Sequence, residues 1–102
     1  MKYVHCVFFS CKPETADADI EAQIADAQNL LGHIPTVRLV RSGRRDATMQ
    51  RDVNVKDYDI GLTVLFDDKA GLQTYADHPL HLEYVGKYKQ NWAAFRVFDF
   101  TA

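Results

Sequence analysis

The stretch YDIGLTVLFDD, Tyr58 to Asp68, decides the fold. Ile60, Leu62, Val64 and Phe66 fall on alternate positions, so a strand here presents one wholly apolar face. The stretch closes on Asp67-Asp68, and aspartate at that point caps a helix. A strand running directly into a helix is half of an α+β unit, and the remainder of the chain is read outward from it.

Upstream, PTVRLVRS (35–42) alternates as a strand, with Val37, Leu39 and Arg41 on one face and Arg38 and Val40 on the other. The intervening GRRDATMQRDVNVK (43–56) is polar and without period. Loops of that length are usually functional or mobile. Further upstream, YVHCVFFSC (3–11) is rich in β-branched and aromatic residues and apolar on both faces, so both faces should be covered. Pro13 and Thr15 open a helix with Thr15 or Asp17 as its cap. Ile20, Ile24, Ala27 and Leu31 form its apolar stripe, and Gly32 ends it. Downstream of the aspartate pair a helix runs to about Asp77. Pro79 disfavours helical geometry at His78, so the helix breaks there and a new one starts with Pro79 and runs to about Asn91. WAAFRVFDF (92–100) is the last strand.

The order is βαββαβ over a single domain, 1–102. It predicts a ferredoxin-like α+β fold: a four-stranded antiparallel sheet with the helices on one face. Alternation leaves Cys6, Phe8, Val40, Leu65, Phe98 and Phe100 on the other face. So large an apolar patch marks an interface, and a two-fold homodimer with sheet packed on sheet is expected.

Composition removes several function classes. The 102 residues carry a net charge of −2, which argues against nucleic acid as the main partner. No apolar run reaches the ~18 residues of a membrane span. The N-terminal MKYVHCVFFSCKPE lacks a cleavage site and reads as a strand, not a signal peptide. Cys6 and Cys11 are five apart, which puts them on opposite faces of one strand, and free thiols fit a cytoplasmic protein. No CxxC pair suggests a metal.

The chemistry concentrates in YADHPLHLEYV, Tyr75 to Val85. With Pro79 as first helical residue, His81 sits in the first turn, where the helix dipole disfavours added positive charge. A neutral imidazole there is a competent general base. Tyr75 can donate its hydroxyl to a developing enolate. His5 completes a polar cluster if its face meets the helices. The expected pocket is lined by His5, Val7, Phe9, Ile60, Leu62, Tyr75 and His81, apolar with a few convergent polar groups. A plainer account stands beside this one: His81 as a core histidine held by backbone, Tyr75 as a packed aromatic, His5 as a structural strand residue, His78 as a helix cap and Trp92 as core. Arg38, Arg41, Arg44, Arg45 and Arg51 either meet an anionic ligand such as a CoA ester or form a solvated surface.

Five segments, YVHCVFF, Ile34-Pro35, YDIGLTVLFDD, YADHPLHLEYV and WAAFRVFDF, span nearly the whole chain in an order that resembles the stress-responsive A/B barrel (Dabb) family. The resemblance implies a dimeric α+β barrel. A plant polyketide cyclase of that family closes a linear polyketide-CoA ester by intramolecular aldol condensation without a metal. Its catalytic Tyr and His lie in a YxxHPxH segment and fall on Tyr75 and His81. Its first-strand pocket histidine falls on His5, and a third-strand pocket histidine falls on Ile60. The resemblance implies cofactor-independent acid–base chemistry on a small carbonyl or polyketide-like compound, by aldol cyclisation or enolisation. The alternatives are a non-catalytic module that holds a small hydrophobic ligand and a cofactor-free monooxygenase-like enzyme.

Overall fold

The computed structural model describes residues 2–102. Its elements are β1 (Tyr3–Cys11), α1 (Asp17–Asn29), β2 (Leu39–Arg44), β3 (Ile60–Phe66), α2 (Lys69–Asp77), α3 (Pro79–Tyr88) and β4 (Trp92–Thr101), with short 3-10 turns at Leu31–His33 and Lys89–Asn91. The strands form one sheet in the order β2-β3-β1-β4, antiparallel at every pairing. This is the ferredoxin-like arrangement. No helix among the described residues is long and apolar enough to cross a membrane.

Register explains the two faces. Val7 of β1 lies opposite Leu62 of β3 and Val97 of β4; Phe9 lies opposite Ile60 and Phe95; His5 lies opposite Val64 and Asp99. Because side chains alternate with period two, these residues share the face that meets the helices. Val7, Phe9, Ile60, Leu62, Val64 and Phe66 join Ile20, Ala27 and Leu31 from the first helical segment in one core. Tyr75, Tyr84 and Tyr88 close it from α2 and α3.

The opposite face carries Cys6, Phe8, Leu65, Phe98 and Phe100, and the last two are each about half exposed. Tyr58 of the long loop and Phe98 both meet the Phe8 ring edge-on, at 5.0 and 5.9 Å between centroids. Val40 does not belong to this patch, contrary to the sequence expectation. It pairs with Val64 and is buried in the core, while Leu39 takes the open-face position opposite Leu65. The reason is local. The strand begins only at Leu39. Val37 sits in the preceding turn, its N–H bonded to the Ile34 carbonyl, and packs on the core from outside the strand's alternation. Gly43 and Arg44, expected in the loop, finish β2 instead.

Helix boundaries follow their caps. Asp68 accepts the Gly71 N–H at 2.9 Å and starts α2 as expected. The α1 cap differs: Ala16 holds the position without a side-chain bond, and Thr15 instead donates to the Asn91 carbonyl. The break at His78-Pro79 is present, and His78 Nδ1 accepts the Leu80 N–H at 3.1 Å.

Candidate active site

The helices cover β2, β3 and β1 more fully than the edge strand β4. Phe95 and Val97, on the helix-facing side of β4, remain 56% and 46% exposed. The gap between them and α3 is a cavity of about 650 Å³. Its floor is His5, Val7 and Phe9 of β1 with Leu62 of β3; Tyr75 of α2 and His81, Tyr84 and Val85 of α3 form its roof. Lys89 and the start of β4, from Trp92 to Phe95, complete it with Val97. The size and the apolar lining suit a small organic molecule.

The local fold aims the polar groups. Pro79 has no N–H, so the hydrogen-bond ladder of α2 cannot run into α3. His78 N–H bonds the Tyr75 carbonyl, the Leu80 N–H goes to the His78 ring, and the Ala76 carbonyl is left for a side chain. His81 Nδ1 takes it at 3.0 Å. A carbonyl only accepts, so Nδ1 is the donor and the neutral ring keeps its lone pair on Nε2. Burial holds the His81 pKa below its ordinary value; the bond to Ala76 opposes this, His5 nearby assists it and Asp77 opposes it. The dominant cause is therefore desolvation of the cation.

Tyr75 is almost fully buried, its ring tilted on His81 at 4.6 Å and edge-on to Phe66 at 5.2 Å. Its hydroxyl makes no hydrogen bond among the described residues, yet no polar side-chain atom there is both buried and without a partner. The hydroxyl therefore reaches accessible space, and the space that Tyr75 lines is the cavity. Burial pushes its pKa well above the usual phenol range, so it acts as a proton-bearing donor. His5 lies 5.8 Å from the Tyr75 ring, and its Nδ1 is held 2.5 Å from the Asp99 carboxylate.

Of the residues expected from sequence, His5, Val7, Phe9, Leu62, Tyr75 and His81 line the cavity. Ile60 does not. It is on the correct face but pairs with Phe9 on one side and Arg44 on the other and is fully enclosed in the core. The five arginines also lie elsewhere. Arg38 pairs with Asp67 and Arg44 with Glu21 and Asp17; Arg41 and Arg45 bond the carbonyls of Val40 and Tyr58; Arg51 bonds Asn54. Sequence reasoning missed Asp99, although an acid between Phe98 and Phe100 on a half-buried strand was a visible signal. It also missed Val85 and Lys89, which follow His81 at helical i+4 and i+8 spacing.

The stress responsive A/B barrel domain model matches residues 4–102. The chain belongs to the stress responsive A/B barrel domain family. Olivetolic acid cyclase from Cannabis sativa is 28% identical to this domain, covering 99% of this chain and 97% of its own length. A dimeric ferredoxin-like protein of unknown function from Thermobifida fusca has a TM-score of 0.83 at 20% identity, covering 100% of this chain and 92% of its own. The hydroxynitrile lyase of Passiflora edulis has a TM-score of 0.83 at 18% identity, with coverage of 99% and 93%. These similarities establish the domain's fold.

Proposed function

We propose that this domain is a cofactor-independent acid–base enzyme that enolises or cyclises a small carbonyl compound in the cavity between α3 and β4. One observation carries the proposal. The Tyr75 hydroxyl and His81 Nε2 both lack a partner among the described residues, and their rings, 4.6 Å apart, line the same apolar cavity. His81 Nε2 takes a proton from the carbon beside a carbonyl, and the C–H electron pair moves into the carbonyl to give an enolate. Tyr75 donates to the enolate oxygen. In the cyclising case the enolate carbon attacks a second carbonyl of the same molecule, and the resulting alkoxide recovers the proton from His81. His5, held by Asp99, adds a third polar group from the cavity floor. The likeness to olivetolic acid cyclase supports this reading.

The working unit is a homodimer. The half-exposed Phe98 and Phe100 with Phe8 supply an apolar sheet face for a second copy, and the Thermobifida fusca relative is dimeric.

The test is deuterium exchange at the acidic carbon of β-keto esters and 1,3-diketones, followed by NMR in heavy water. The expected result is catalysed exchange that falls about 10²–10⁴-fold in His81→Ala and about 10²–10³-fold in Tyr75→Phe, with ligand binding retained. Wild-type protein that binds these compounds without accelerating exchange would make the domain a binding module.

A further inference from the structure

Lys89 is the one cation among the cavity-lining residues, and no carboxylate lines that space among the described residues. Neighbouring cations are otherwise engaged: Lys87 pairs with Asp26 at 2.7 Å, and Arg96 of β4 pairs with Asp57 at 2.8 Å. Lys89 makes no ion pair among the described residues. Its position is set by helix geometry. His81, Val85 and Lys89 recur at i, i+4 and i+8, so they fall on one side of the helical segment, and all three line the cavity. Eight residues at about 1.5 Å each separate His81 from Lys89 by about 12 Å along the axis. The wall between is apolar, made by Val85 above and Leu62, Phe95 and Val97 opposite.

We infer that Lys89 selects a ligand with an anionic group, a carboxylate in the simplest case, at the end of its chain remote from Tyr75 and His81. This inference rests on the cavity function proposed above. It adds a requirement that the acid–base pair does not impose: the substrate is a bipolar molecule, with a reactive carbonyl near one end, an apolar body, and a negative charge toward the Lys89 end of the cavity. Lys89 is exposed, so the anion is recognised at the cavity mouth without being desolvated. The arginines near the long loop do not compete for this role, since none of them lines the cavity.

The experiment is calorimetric titration of wild type, Lys89→Gln, Lys89→Arg and Lys89→Glu with hexanoate, octanoate and decanoate, each beside its methyl ester. An exposed ion pair is worth a factor of about two to five in affinity. The expected result is that wild type prefers acid over ester by that factor for the longer chains. The preference should survive in the arginine variant, vanish in the glutamine variant and reverse in the glutamate variant, with ester affinity constant throughout. Esters that bind wild type as tightly as the acids would overturn the inference and leave the cavity function standing. So would an acid preference that persists in Lys89→Gln but is lost in His81→Gln, which would place the anion at the other end. Wild type that binds neither acids nor esters would overturn both.

Discussion

Gln23 is a buried polar residue of α1 on which a quantitative prediction can be built. It is 1% exposed. Its Oε1 accepts the Trp92 indole N–H and its Nε2 donates to the Tyr84 hydroxyl, both at 3.0 Å. The indole nitrogen only donates, so the amide has one permitted orientation. Leucine at this position keeps most of the volume and removes both bonds. The Tyr84 hydroxyl, in a residue 2% exposed, is then left without its donor; the Trp92 N–H, in a half-buried residue at the cavity, is reachable by water. An orphaned buried group costs about 1–3 kcal/mol, so Gln23→Leu should cost about 2–4 kcal/mol, Trp92 contributing at the low end. At about 4–8 °C per kcal/mol for a domain of this size, melting falls by about 8–32 °C. The sharper test is the second substitution. Tyr84→Phe removes the orphan, and replacing both members of a polar pair by apolar groups can approach neutrality. Gln23→Leu/Tyr84→Phe should therefore be about 1–2 kcal/mol more stable than the sum of the single changes predicts. Urea unfolding followed by circular dichroism, at fixed protein concentration because association shifts the transition, measures all four corners. Strict additivity would refute the argument and leave Gln23 as a space-filling residue.

Two further outcomes are expected. Burial holds the His81 pKa below 6.5 in the folded protein, so on acidification the unfolded chain takes up this proton first. Stability from this group is complete above pH 6.5 and declines as pH falls from 6.5 through the folded value; His81→Gln should flatten that part of the urea-unfolding profile, and an unchanged slope would contradict the assigned environment. Catalysed exchange should fail on the same acid side, with a midpoint below 6.5. Phe98→Asp places a charge on the open sheet face and should shift the sedimentation of the protein toward monomer with cavity binding retained at saturating ligand; an undisturbed dimer would place the interface elsewhere.

Much of this molecule is legible in the amino-acid order because several residues speak for one structural fact at once. The alternation of Ile60, Leu62, Val64 and Phe66 sets the sheet face, and Asp68 and Pro79 set the helix starts. Where alternation alone was the evidence it misled. Val40 looked outward because Val37 and Leu39 outvoted it, and only the turn at Ile34–Val37 shows that Val37 is not in the strand. Ile60 has the correct parity for the cavity, but parity cannot report that neighbours on both sides enclose it. Gln23 is absent from the apolar stripe read in the sequence, and its burial depends on Tyr84 and Trp92, more than sixty positions away. Asp99 and Lys89 were readable in principle, since cross-strand pairing with His5 and helical spacing from His81 locate them.

The interruption between α2 and α3 also says where this chemistry is vulnerable. Each helical residue turns the chain by about 100°, so one residue inserted between Pro79 and His81 would sweep the imidazole around the axis and away from the cavity. Replacing Pro79 by a residue with an amide would let the two helices merge, and the Ala76 carbonyl would return to the Leu80 amide in an unbroken ladder. The histidine would then keep its place in the chain and lose both its compass bearing and its tautomer. A chain without the proline break would thus retain the histidine in its sequence while losing the orientation and tautomer that the proposed base role requires.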